Sequence, residues 1–407
     1  MKTRKDMLIC ARNVIVGKEM ELKENWALLI EDGKITKMGP AEELENQVSA
    51  DMVVKYENET LVPGFFDMHD HISWDTNMED YLNQLVNLDA VECAARSIVY
   101  MQKDLNSGVT TGRCICDGFL IDVTNKKLVN EGFLDGPDIL CGGIGIRSTT
   151  GHGRIGKPFN GVQEVRQAVR DNLVLGTDVV KLFTTGGSLR TDTWTRLPSY
   201  YTKDEIWAAI DEAHRFGKPI TTHCLGGQAM DYCIEGGMDS LEHAYFIQPE
   251  QIEAAMKAGT TLTLTSNEYW FTQPGRPGEM NNKFAQYLPE VRECMRNVIK
   301  SGIKYAFGTD GVHGGIYVEP CLAVTQYGAS TVDAMKGLTI NAAEICDVAD
   351  KKGSLDVGKQ ADIVVLGGNP LENIQYLKDV KNTYKAGIAY RYEDIDMTIP
   401  ELVHLDA

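Results

Sequence analysis

Between residues 65 and 310, short apolar runs alternate with longer stretches whose apolar residues recur every three to four positions. Runs of this length bounded by glycine or polar clusters read as buried strands, and the 3.6-residue period reads as amphipathic helix. Eight runs qualify as strands: Phe65–His69, Val109–Cys114, Asp138–Cys141, Val179–Phe183, Ile220–His223, Ser240–His243, Thr261–Leu264 and Tyr305–Asp310. Helices are predicted over Ala90–Ser107, Val162–Leu175, Lys203–Phe216, Gln228–Glu235, Pro249–Ala258 and Pro289–Ser301. Gly108, Gly176, Gly217, Gly237, Gly259 and Gly302 each fall just beyond a helix, where a left-handed C-cap is wanted. Strands regularly separated by helices form parallel sheets, and eight such units close into a (β/α)8 TIM-like barrel.

The flanks have another texture. Ala27–Ile30 leads through Asp32-Gly33, a pair suited to a type I′ hairpin turn. Ala361–Leu366 reads as a strand, and Val380–Tyr390 as strand, Ala-Gly turn and strand. Neither end has enough core alone, so the two are expected to combine. The predicted organisation is an α/β chain with a composite β-sandwich domain from residues 1–62 and 352–407, bracketing a barrel over 63–351.

Composition narrows the function. The formal charge of −18 on 407 residues argues against nucleic acid or an anionic membrane as partner. Ten cysteines without a CxxC pair fit thiols kept reduced. No apolar stretch approaches the length of a membrane span or a signal-peptide core, and a cytoplasmic protein is expected.

The chemistry gathers at strand ends. His69-Asp70-His71 puts two imidazoles on one face of a strand, enough to hold a divalent ion from a single strand end. Lys181, His223, His243 and Asp310 close candidate strands four, five, six and eight, on the face where this architecture carries its active site. Four histidines, a carboxylate and a lysine overfill one tetrahedral site but suit two ions about 3.5–4 Å apart sharing a hydroxide. Lysine is the anomaly, since a cationic amine is a poor ligand. Carbamylation by carbon dioxide would make Lys181 a bridging anion.

These motifs resemble the amidohydrolase superfamily from end to end: Ile30–Ile35, Pro63–His71, Asn341–Glu344 and Gly353–Val364. Lys181–Gly187, His223–Ala229 and Glu242-His243 are most similar to its prolidase-type branch, which includes Xaa-Pro, Xaa-Arg and Xaa-Lys dipeptidases and ochratoxin amidases. The resemblance implies two divalent metal ions, zinc expected, held by His69, His71, N6-carboxylysine at Lys181, His223, His243 and Asp310. It further implies that Asp310 takes the proton from an attacking, metal-bridging hydroxide and returns it to the leaving amine. His152, between Gly151 and Gly153, is expected to steady the substrate carbonyl or oxyanion.

The expected substrate is a small amide, a dipeptide or an N-acyl amino acid, with no nucleic-acid or membrane partner and a homo-oligomeric assembly. Arg147, Arg154, Arg190 and Arg196 lie in loops at the catalytic face, and one is expected to clamp a carboxylate. Arg147, Arg190 and Tyr245 are the leading substrate contacts. Trp270-Phe271 is a candidate aromatic lid, His313 divides evenly between function and loop, and His214 reads as structural. Leu225 stands where dipeptidase relatives often carry an aromatic, which opens the substrate rather than the chemistry to question. Cyclic-amide hydrolases, hydantoinase- or lactamase-like, are the alternative. A deaminase is less favoured, because Gly226 occupies the position of its usual glutamate and Lys181 is present.

Overall fold

The structure is a computed structural model that describes residues 5–76, 87–187, 197–272 and 278–402. The chain opens with β1 (Met7–Val16), β2 (Glu21–Glu31), β3 (Lys34–Pro40) and β4 (Val53–Pro63). The β2–β3 turn carries φ of 48° at Asp32 and 74° at Gly33, as a type I′ hairpin requires. β5 (Phe65–Asp70), β6 (Val109–Cys114) and β7 (Asp138–Cys141) then form a three-stranded parallel sheet.

A seven-stranded parallel sheet follows, built from β8 (Ile146–Arg147), β9 (Lys157–Pro158), β10 (Val180–Phe183), β11 (Ile220–Cys224), β12 (Ser240–His243), β13 (Thr261–Leu264) and, beyond the short β14 (Phe271–Thr272), β15 (Tyr305–Phe307). Its order is β15-β13-β12-β11-β10-β8-β9. Backbone hydrogen bonds join the two parallel sheets on both sides. The Asp310 N–H donates to the His69 carbonyl at 2.8 Å, and the Asp178 N–H donates to the Cys141 carbonyl at 2.8 Å.

The chain then returns to where it began. β16 (Ile363–Leu366), β17 (Val380–Lys385) and β18 (Ile388–Tyr390) complete a second seven-stranded sheet in the order β18-β17-β16-β4-β1-β2-β3. β4 and β16 pair antiparallel, Val62 opposite Val364, so both flanks share one sheet. Finally β19 (Glu401–Leu402) pairs with β14.

The helices start and stop where their sequences direct. Ala90–Asn106 begins at an Asp89/Glu92 capping box and Lys203–Arg215 at a Thr202/Glu205 box. Ile206, Ala209, Ile210 and Ala213 form the buried stripe that packs the second of these into the main core. Among the strands and helices predicted between residues 65 and 310, two boundaries differ from expectation by more than one residue. The helix predicted from Pro289 runs Gly278–Ser301 straight through the proline, because Phe284, Leu288, Val291, Met295 and Val298 keep one buried stripe across it. The last parallel strand ends at Phe307, short of Asp310, because the backbone turns left-handed at Asp310 (φ 54°). No helix among the described residues is long and apolar enough to cross a membrane.

Candidate metal centre

The strand-one pair is aimed from behind. Nδ1 of His69 lies 2.9 Å from Glu242 Oε2, and Nδ1 of His71 lies 2.7 Å from the Cys116 carbonyl. With those nitrogens engaged, both Nε2 atoms face Asp310, whose Oδ1 is 3.4 Å from each. His243 is set in the same way, its Nδ1 2.7 Å from Thr265 Oγ1. Partners on the far nitrogen fix the orientation and basicity of an imidazole that is to hold a metal. Donor atoms of His69, His243 and Asp310 lie within 4.8 Å of one another, a spacing that suits an ion.

Strand alternation alone would send Glu242 and His243 to opposite faces. His243 instead has φ 75°, so Glu242 reaches His69 from below while the His243 ring lies 4.6 Å from that of His69. His243 and Asp310 are thus both non-glycine residues in left-handed backbone, a conformation that costs about 1–3 kcal/mol and clusters at functional sites. Gly308 makes the second turn possible. A Cβ there would lie 2.4 Å from the His69 Cβ.

His223 extends the cluster on the other side, its ring 4.5 Å from His243 and 4.4 Å from His152, with Nε2 3.2 Å from the Gly186 carbonyl. Lys181, on β10, is fully buried, and its Nζ has no hydrogen-bond partner among the described residues. Burial lowers its pKa to about 8. Burial also holds His69, His223 and His243 well below the ordinary histidine value, Lys181 adding to the effect on each. Burial works against ionisation of Asp310, but His69, His71 and Lys181 outweigh it and keep the carboxyl far below the usual range. His71 differs from the other three: burial lowers it, but its bonds to Asp310 and the Cys116 carbonyl prevail and raise it well above the ordinary histidine value. The site thus gathers four imidazoles and one amine around one carboxylate.

Beneath lies a layer that pattern reading does not reach. Arg113 is buried and donates to the Met68 carbonyl at 2.8 Å, Ser240 Oγ at 3.1 Å, Thr263 Oγ1 at 2.9 Å and Glu242 Oε1 at 2.6 Å. Burial raises the Glu242 carboxyl, yet Arg113 and Lys181 prevail and hold it below its ordinary value. Asp67 accepts from the His69 and Thr309 backbone N–H groups and from Thr309 Oγ1. Glu242 stands beside His243 and Asp67 two positions before His69, but nothing in the chain around Arg113 marks its place in this layer.

The remaining expected contacts divide. His152 is exposed beside His223, packed so closely on Gly187 that a Cβ there would meet its ring at 2.5 Å. Arg147 turns into its own loop, donating to the carbonyls of Gly156, Ser148 and Thr149. Arg154 is exposed, whereas Arg190 and Arg196 lie outside the described residues. Tyr245 is buried, its ring 5.3 Å from His243 and its hydroxyl 2.9 Å from Thr265 Oγ1, so it stands behind the histidine it follows. Trp270 and Phe271 are not a lid. Both are buried, and the indole N–H donates to the Tyr327 hydroxyl at 2.8 Å. His313 is buried between Asp104 and the Trp74 carbonyl, and His214 pairs with Asp239 on an outer helix.

The model of the amidohydrolase family matches residues 60–389. Ochratoxinase from Aspergillus niger is 27% identical over 417 aligned residues, covering 93% of this chain and 85% of its own. Its crystal structure superposes with a TM-score of 0.81 at 25% identity over 97% of each chain. A Xaa-Pro dipeptidase crystallised with methionine in its active site is 28% identical with a TM-score of 0.85, over 95% of this chain and all of that one. Imidazolonepropionase from Streptococcus gordonii is 23% identical over 91% of both chains.

Proposed function

The chain belongs to the amidohydrolase family, a hydrolase acting on C–N bonds, and on that premise we propose that it cleaves the amide of a dipeptide or N-acyl amino acid at a two-metal centre. The two parallel sheets, hydrogen-bonded along both seams, are read as one (β/α)8 barrel over 63–351. The sheet shared by both flanks is read as the composite domain of 1–62 and 352–407.

One observation carries the two-metal reading. Lys181 buries an amine without a hydrogen-bond partner among the described residues, close to three imidazoles and Asp310, and a buried polar atom left unpaired is costly. An amine lowered to about 8 is partly neutral near pH 7, which is the form that adds carbon dioxide. As N6-carboxylysine it would join His69, His71, His223, His243 and Asp310 in holding two ions. Two divalent ions in such a site, zinc being the expected pair, supply Lewis acidity and a water-derived nucleophile near neutral pH.

The protein's own groups then have separate tasks. Asp310, held ionised, receives a proton and passes it to the departing amine. His152, exposed beside His223, donates to the oxygen of the carbonyl under attack. Arg113 and Glu242 fix the His69 ring, and Thr265 fixes His243. A carboxylate on the leaving half fits the methionine seen in the dipeptidase relative.

The test is a hydrolysis screen of dipeptides and N-acyl amino acids with the zinc-loaded protein, run beside metal analysis and mass spectrometry of the Lys181 peptide under carbon dioxide. Turnover of carboxylate-bearing amides with two zinc ions per chain is expected. A protein that holds zinc but cleaves only cyclic amides favours the second reading, which the likeness to imidazolonepropionase supports.

A further inference from the structure

Another buried carboxyl reaches the centre from a distance. Glu319 sits in the first turn of the helix Val318–Thr325, fully buried and remote in sequence from the residue it grips, Asn267. Its Oε1 accepts the Asn267 backbone N–H, and its Oε2 accepts from Ser266 Oγ at 3.0 Å. The direction of these bonds is fixed from outside. The Trp270 indole can only donate, and it donates to the Tyr327 hydroxyl. Tyr327 must therefore pass its own hydrogen to Ser266 Oγ, 2.8 Å away, and Ser266 must pass its hydrogen to Glu319. Both oxygens of Glu319 are thus acceptors, a role no side-chain amide fills.

The network ends at the candidate centre. Fixed through its backbone, Asn267 directs its side-chain Nδ2 to the Thr309 carbonyl at 3.1 Å. Thr309 immediately precedes Asp310, whose backbone is left-handed. On the opposite side Asp67 takes the Thr309 N–H at 3.1 Å and its Oγ1 at 2.6 Å, and the Asp310 N–H is held by the His69 carbonyl. Thr309 is therefore gripped from two sides by groups that terminate in buried carboxyls.

We propose that Glu319 is a positioning residue for the hydrolysis: acting through Asn267, it holds the Thr309 carbonyl and thereby the left-handed turn that aims Asp310 at His69 and His71. The inference rests on Asp310 serving the metal-dependent reaction proposed above. Glu319 itself touches neither substrate nor metal. Its loss acts by letting the Asp310 turn relax, while the fold is held by the surrounding core.

The experiment compares wild type, Glu319→Gln and Asn267→Ala, the second removing only the side-chain bridge. Three quantities are measured: zinc affinity by chelator competition, kcat and KM on the best amide from the screen, and thermal stability. Both variants are expected to bind zinc about 10–100-fold more weakly, the usual range for an outer-shell partner. Both should lose kcat by a similar factor with KM within about twofold. A lower Tm with wild-type zinc affinity and kcat in the folded variants overturns the proposal, because a merely structural group behaves in that way. If Glu319→Gln does not fold, Asn267→Ala decides alone by the same criteria. A wild-type protein that binds no zinc and cleaves no amide refutes the underlying reading instead, whatever the variants do.

Discussion

Glu242 Oε2 and His69 Nδ1 stand 2.9 Å apart, and the other oxygen of the same carboxylate takes the Arg113 guanidinium at 2.6 Å. A buried cation, a buried anion and a metal-facing imidazole are in series. Glu242→Gln should weaken zinc binding about 10–100-fold. It should also cost about 3–5 kcal/mol of stability, since the buried Arg113 charge is left unpaired. Chelator competition and denaturant unfolding measure the two effects, and a variant with normal zinc affinity would show that Glu242 only supports the fold.

Lys181→Ala removes the proposed bridge. Most activity and at least one equivalent of metal should be lost, with partial recovery in short carboxylic acids, which can occupy the vacated space. Full activity without added acid would sink the carboxylysine reading.

The metal-free protein should respond to pH through the same residue. Lys181 has a folded pKa of about 8 against 10.5 in the open chain, so between these values the unfolded state binds the extra proton. Stability should therefore rise as pH climbs from about 8 toward 10.5, by up to about 3 kcal/mol in all. Well below pH 8 the residue is protonated in both states, and its penalty is constant. Melting curves of metal-stripped wild type and Lys181→Met should converge at high pH; parallel curves would contradict the assignment.

Gly308→Ala tests the close approach under Asp310. The added methyl would sit 2.4 Å from the His69 Cβ, so either the strand end or the Asp310 turn must move. The folded fraction should lose zinc binding and kcat by at least tenfold, as read by metal analysis of the purified monodisperse protein. Wild-type zinc content would mean the site tolerates the shift.

Much of the architecture is legible in the chain because parallel strands and their helices are locally encoded. Val109–Cys114, Asp138–Cys141, Ser240–His243 and Thr261–Leu264 appear at their predicted bounds, each a compact apolar run between turn residues. His69 and His71 are legible for the same reason, since period-two alternation places them on one side. His243 and Asp310 are correctly singled out as strand-end residues, but alternation does not describe how they point; a positive φ does, and only tertiary packing enforces it. Glu242 and Asp67 enter the reading only as members of motifs, without a role, and Thr265 and Glu319 escape it altogether. Their partners lie far along the chain, such as Glu242 with His69 and Glu319 with Asn267, and no local period marks such meetings. Trp270 is misjudged because an aromatic pair in a polar stretch reads as exposed, whereas its indole finds Tyr327 inside the core.

The sheet shared by both flanks has a consequence for how the chain is made. Val62 pairs with Val364, and Tyr56 meets Tyr384 through their hydroxyls at 2.8 Å, so early strands need partners synthesised about 300 residues later. At roughly 5–20 residues per second, β4 leaves the ribosome and waits roughly 15–60 s with an unpaired edge. An edge exposed for that long is a template for pairing with other nascent chains. Yield in the cell should therefore depend less on final stability than on what shields β1–β4 during that interval, and slowing translation should cost soluble protein.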